Sequence, residues 1–163
     1  MPQPSWADPS RWSRLVDGTA CPFCVDGPRG IVATPGGSWV TMDEDVNVRG
    51  YVCVIPRDHV VELHGMTEEQ GAAYMRDIRR VASVVQSVTG AIKLNYEVHG
   101  NVVPHVHMHI VPRYPDDDIE IRGEPFARIT ASPYREGEFA ALRDRIRSAL
   151  QSATDETAAG LAG

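Results

Sequence analysis

Hydrophobic and polar positions alternate most strictly in one short run, His105-Val106-His107-Met108-His109-Ile110-Val111, entered through Pro104. A period of two predicts a strand with Val106, Met108 and Ile110 turned to a core and three histidines sharing the opposite face. Elsewhere the apolar residues come in short runs bounded by turn formers. Gly30–Thr34 and Ser38–Met42, joined by Pro35-Gly36-Gly37, predict a hairpin; Tyr51–Ile55, stopped by Pro56, predicts a third strand, and Ala91–Val98 a fourth. The period becomes helical through Tyr74, Met75, Ile78, Val81, Ala82, Val85 and Val88. Thr67 offers an N-cap to this main helix, with Gln70 three residues on and Glu68 and Glu69 in the first turn, and Gly90 is its natural stop. Phe139, Leu142, Ile146 and Leu150 mark a second amphipathic helix over Glu136–Leu150, and Pro9–Val16 a short one near the N-terminus. Strands with few helices and short connections predict an α+β fold with a mostly antiparallel sheet.

The chain has 163 residues, 42% of them hydrophobic and 23% charged, enough for one domain with a substantial core. The domain is expected over 21–151, after an N-terminal extension, 1–20, and before a tail, 152–163, whose Ala, Gly and Thr content predicts disorder. A net charge of −6 argues against a broad basic footprint for nucleic acid and favours a small substrate gripped by local donors. The N-terminus lacks the apolar run of a signal peptide, and no stretch approaches the roughly 20 apolar residues of a membrane span, so the expectation is a cytoplasmic protein without membrane contact. Three cysteines, an odd number, do not suit a disulfide framework. Cys53 lies in an apolar run and reads as a buried hydrophobe, whereas Cys21-Pro-Phe-Cys24 has the spacing of either a metal knuckle or a redox pair.

Same-face positions along a strand lie roughly 6.5–7 Å apart, so three rings can serve one phosphate, one metal, or some of each. Imidazole is nucleophilic at neutral pH, and its attack on phosphorus gives a phosphoramidate that water can open. His107, flanked on both sides, is best placed to attack. The loop Gly100-Asn101-Val102, just upstream, can aim backbone N–H groups at charge developing on phosphoryl oxygens.

The histidine run with its two trailing hydrophobics resembles the signature of the histidine triad (HIT) superfamily, and the resemblance extends over roughly Cys21 to Arg113. It implies a HIT-like fold and a nucleotide hydrolase acting at the α-phosphate of nucleoside esters, anhydrides or phosphoramidates. By this resemblance His107 is the nucleophile that forms a nucleotidyl-histidine, and His109 contacts the phosphate and helps the leaving group depart. Asp43 matches a ribose-binding position; Asn95 and Asn101 match polar positions that face phosphate, Asn101 standing where glutamine is usual, with Gly100 a candidate nucleotide-binding residue in the loop before it. Two departures stand out: Tyr51 replaces a histidine that ordinarily partners the first histidine of the triad, and Val102 replaces a Ser or Thr.

Zinc-bearing members of the superfamily imply an explanation for the first. There a structural zinc is held by ligands corresponding to Cys21, Cys24, His59 and His105, and a metal on His105 makes a hydrogen-bonding histidine at position 51 redundant. His64 and His99 are alternatives to His59, and Glu62 and Glu97 read as solvated or structural. The resemblance also implies a homodimer paired through the main helix and a central strand. Alternatives are a nucleotidyltransferase with a non-water acceptor, a catalytically weak nucleotide-binding module, and a metallohydrolase with all three histidines on zinc.

Overall fold

A computed structural model describes residues 5–46, 48–117 and 134–160, side chains from 154 onward excepted. Five strands, β1 (Ile31–Ala33), β2 (Ser38–Thr41), β3 (Val52–Pro56), β4 (Lys93–Val98) and β5 (Met108–Arg113), form one antiparallel sheet in the order β1-β2-β3-β5-β4. The helices are α1 (Pro9–Val16), the single turn α2 (Pro22–Val25), α3 (Glu68–Thr89) and α4 (Glu138–Gly160). This is the α+β architecture the pattern predicts.

The helix signals act as read. Thr67 Oγ1 accepts from the Gln70 N–H while the Gln70 side chain accepts from the Thr67 N–H, and Gly90 closes α3 at φ +71°, a conformation that costs a residue without Cβ nothing. The apolar stripe of α3 (Tyr74, Ile78, Val81, Ala82, Val85) is buried against one sheet face, where Val40, Val52, Val54 and Ile110 meet it. Buried Asp77 breaks that stripe, and its carboxylate accepts from Ser38 Oγ at 2.7 Å and from the Gly37 N–H at 3.2 Å. Helix α3 thus holds the β1–β2 turn as well as the sheet.

The histidine strand begins later than its alternation predicts. Residues before Met108 are not in the ladder, because Val106 would next face Pro56, which has no N–H to pair. The Val106 N–H turns instead to the Val60 carbonyl at 2.7 Å. The alternation of faces survives, with Val106, Met108 and Ile110 buried. Helix α4 also departs from expectation. Phe139, Leu142, Ile146 and Leu150 are buried as predicted, but the backbone stays helical to Gly160, past Ser152 where composition predicts disorder.

The opposite sheet face carries His109. Register places Thr41, Cys53, His109 and Glu97 in one row across β2, β3, β5 and β4, and directly paired residues share a face. Tyr51, Cys53, Ile55 and Val111 form a smaller apolar cluster there, with Phe23 and Trp39 packed against it.

Candidate functional site

Cys21 and Cys24 sit on the turn of α2, started by Pro22 at the first helical position, where its missing N–H costs nothing. The turn brings both sulfurs toward two imidazoles. Cys24 Sγ lies 3.3 Å from His59 Nδ1 and 3.6 Å from His105 Nδ1, Cys21 Sγ 3.5 Å from His105 Nδ1, and the two Nδ1 atoms 3.2 Å apart. One ligand atom from each of the four falls within 4.8 Å of every other. Tetrahedral coordination by two thiolates and two imidazoles has ligand–ligand edges of about 3.3–3.8 Å, close to this spacing.

The protonation pattern fits as well. His105 Nε2 donates to the Pro56 carbonyl at 2.8 Å and His59 Nε2 to the Val16 carbonyl at 2.9 Å. Carbonyls only accept, so in each neutral ring the proton is on Nε2 and the Nδ1 lone pair faces inward. Two lone pairs aimed at each other are stable around a cation. These four residues can therefore hold a metal ion, and the structure brings together the set expected; His64 is exposed on another turn and His99 lies elsewhere. Gly18, at φ +84°, lets the chain pass over the His59 ring, where an added Cβ would stand 3.4 Å from the ring carbons.

The same sheet face runs from this cluster into a cavity of about 610 Å³, lined among others by Asp43, Tyr51, Cys53, His107 and His109. Clefts of about 300–1,000 Å³ are typical for small-molecule ligands. Phe23 separates cluster from cavity, with its ring edge-on at 5.5 Å from His105 and 5.7 Å from His107. His107 Nδ1 donates to the His105 carbonyl at 2.6 Å, which leaves Nε2 of the neutral ring with a free lone pair. Burial lowers the His107 pKa, keeping the ring neutral and nucleophilic. His105 thus contributes its ring to the cluster and its carbonyl to the next histidine.

His109 stands 4.8 Å from His107, ring centre to ring centre, and burial pulls its pKa down to about 3. Its Nδ1 is 2.7 Å from the Tyr51 hydroxyl, which burial keeps un-ionised. With that hydroxyl donating, His109 carries its proton on Nε2. Tyr51 therefore supports the last histidine of the run, whereas the family pattern leads one to expect only a lost partner for the first. No sequence pattern pairs a tyrosine with a ring 58 positions away.

The remaining expected residues are placed less centrally. Asn95 is half-buried in β4 across from Val111, outside the cavity lining. Gly100 turns at φ +90°, and Asn101 is exposed with its carbonyl accepting from the Ser5 N–H at 3.0 Å. Ser5 Oγ donates to the Val102 carbonyl at 2.6 Å, and Ser5 itself is buried. The N-terminal segment expected as a separate extension is thus bonded to the loop beside the histidines, and through Val16 to His59.

Residues 27–116 match the HIT domain. The chain is 35% identical over 69 residues to a bis(5'-nucleosyl)-tetraphosphatase [asymmetrical] of Schizosaccharomyces pombe, spanning 39% of this chain and 38% of that protein. It is 25% identical over 99 residues to an adenosine 5'-monophosphoramidase of the same yeast, spanning 58% of this chain and 74% of that one. Protein hit of Bacillus subtilis is 32% identical over 75 residues, 43% of this chain and 52% of that protein. The chain spans only about half the length of several such relatives. A Zn-bound histidine triad family protein from Mycobacterium smegmatis shares the fold at a TM-score of 0.61 and 19% identity, covering 85% of this chain and 98% of that one. Among the described residues no helix is long and apolar enough to cross a membrane. The family match over more than half the chain, on a fold of the same kind, makes this protein a member of the HIT domain family.

Proposed function

We propose that this protein is a nucleotide hydrolase that cleaves at the α-phosphate through a nucleotidyl-His107 intermediate. One observation carries the reading: the His105 carbonyl holds Nδ1–H of His107, so the nucleophilic Nε2 is free beside a cavity of nucleotide size. The nucleoside sits over β2 and β3, where Asp43 takes the ribose hydroxyls. The α-phosphate lies at His107 and His109. His107 Nε2 attacks phosphorus, the leaving group departs, and water then attacks the intermediate to release the nucleoside monophosphate. His109, proton on Nε2, donates to a phosphoryl oxygen, stabilising charge that grows in the transition state. The hydrolase and phosphoramidase activities named for its relatives support this class of reaction.

Zinc is the metal that the Cys2His2 donor set of Cys21, Cys24, His59 and His105 suits. Bound there, it would serve a structural role, fixing the His105 ring whose backbone carbonyl accepts from His107. The separation of His105 from the other two rings, by the cluster on one side and the cavity on the other, disfavours a zinc held by all three.

Incubation with nucleoside phosphoramidates and dinucleoside polyphosphates, quenched in base and followed by intact mass, should show a nucleoside monophosphate adduct mapped to His107. Turnover with the adduct on another residue, or no turnover across the panel, would refute the proposal.

A homodimer also fits this reading, paired at the edge of the sheet rather than through the main helix and a central strand as the resemblance implies. β4 is terminal, and its neighbourhood exposes Ile92 (64%), Tyr96 (49%) and Val98 (39%), apolar side chains that a second copy would cover. Light scattering should give twice the chain mass, reduced to one chain by Tyr96→Arg; a single-chain mass for the unaltered protein would rule the dimer out.

A further inference from the structure

A fourth histidine stands beside the histidine pair, and the proposed reaction gives it no role. His99 Nε2 is 2.9 Å from Glu97 Oε2, and the ring centre of His99 is 5.4 Å from that of His109. Glu97 faces His109 directly across the β4–β5 ladder. The two side chains, His99 and Glu97, are 34% and 15% exposed, so an imidazole and a carboxylate are held together at the margin of the site rather than loose in solvent.

Their position across the sheet is informative. The cavity lies over β2 and β3 and ends at His107, just before β5, and His109 within it. If the nucleoside fills it and the α-phosphate meets those histidines, whatever is bonded to phosphorus on the far side extends over β4. Within β4 and its following turn, Glu97 and His99 are the residues at the level of His109 on its side of the sheet. They flank the leaving group.

We propose that His99 is the proton donor to the leaving group and that Glu97 positions it, so that the site is built for substrates whose leaving atom must be protonated, nucleoside phosphoramidates above all. This rests on the hydrolase reading of the same cavity. In the first step the bond from His107 Nε2 to phosphorus forms and the P–N bond breaks. Its electron pair passes to nitrogen, which takes the Nδ1 proton of protonated His99, and the free amine leaves. In the second step water oxygen bonds to phosphorus, the bond to His107 breaks, and the water proton returns to His99. Glu97, accepting from Nε2–H throughout, keeps Nδ1 as the nitrogen that exchanges protons. His109 is poorly suited to protonating an amine, because its burial holds it neutral and it gives a hydrogen bond to phosphate more readily than it gives up a proton. The leaving-group role that the family resemblance gives His109 passes to a more accessible imidazole braced by a carboxylate.

Anhydride substrates make the test selective. A nucleoside polyphosphate departs as a stable phosphate anion and needs no proton, whereas an amine does. Adenosine 5'-phosphoramidate and diadenosine tetraphosphate share the adenylyl group and the His107 step, and differ in what leaves. His99→Gln should lower kcat/KM on the phosphoramidate about 100-fold and on the tetraphosphate less than about fivefold. Glu97→Gln should show the same selectivity at about a tenfold loss, the signature of a positioning residue. His99→Asn, with melting temperature and AMP affinity measured beside it, serves as the second variant should His99→Gln fold poorly. Equal losses on both substrates, or no loss on the phosphoramidate, would overturn the proton-donor assignment while leaving the hydrolase reading intact. Failure of the unaltered protein to cleave either compound would instead bring down the hydrolase reading and this assignment with it.

Discussion

His107→Ala should lower turnover about 10⁴-fold or more while leaving nucleotide affinity within severalfold of the original. The size of the effect follows from the role proposed for the residue. Removing a covalent nucleophile deletes the low-barrier route and leaves only binding and electrostatic stabilisation of direct attack by water. The affinity survives because the cavity wall from Asp43 to Cys53 stays in place. Steady-state rates with the better of the two substrate classes and equilibrium titration with a nucleoside monophosphate measure both quantities. A His107→Ala rate within about tenfold of the unaltered protein's would show that the ring is a binding group and the chain a nucleotide-binding module.

Metal removal should act on stability before it acts on chemistry. Stripping the protein with a chelator under reducing conditions, or replacing Cys21 with Ser, should lower the melting temperature by about 10 °C or more, a shift that corresponds to a few kcal/mol for a domain of this size. The cause is local. Cys21 and His105 are fully buried, and without a cation the two Nδ1 lone pairs, 3.2 Å apart, face each other with no proton between them. Only weak S–H donors from Cys21 and Cys24 would then remain within reach of them. Re-addition of zinc should restore the melting temperature. A metal-free preparation that melts where the loaded one does would remove the metal from the account, and a folded but inactive one would favour a zinc that acts on substrate directly.

How much of the molecule is readable from residue order depends on whether the signal is local. The capping box of α3, its buried stripe and its Gly90 stop are all written within 24 consecutive positions, and the helix forms there. The alternation around Met108 identifies which side chains enter the core, yet not where the strand begins, because that depends on Pro56 in a different strand. The four candidate metal ligands come from a short cysteine motif plus two histidines supplied by resemblance, and the fold brings them within reach of one another. What escapes are contacts between distant positions without a motif. Tyr51 under His109, the Val16 carbonyl on His59 and Ser5 on the loop at Asn101 each join segments that only the folded chain makes neighbours. Glu97, solvated or structural on a sequence reading, sits in a row with His109 for the same reason.

The two-sided use of His105 has a practical consequence for anyone wishing to silence the protein. Its ring faces Cys24, an exposed cysteine, and its backbone oxygen accepts from Nδ1–H of His107, the nucleophile of the proposed reaction. On the proposed mechanism, an electrophile or oxidant captured by that sulfur would dislodge the support of His107 from behind, an inhibition that would not have to compete with nucleotides for the cavity.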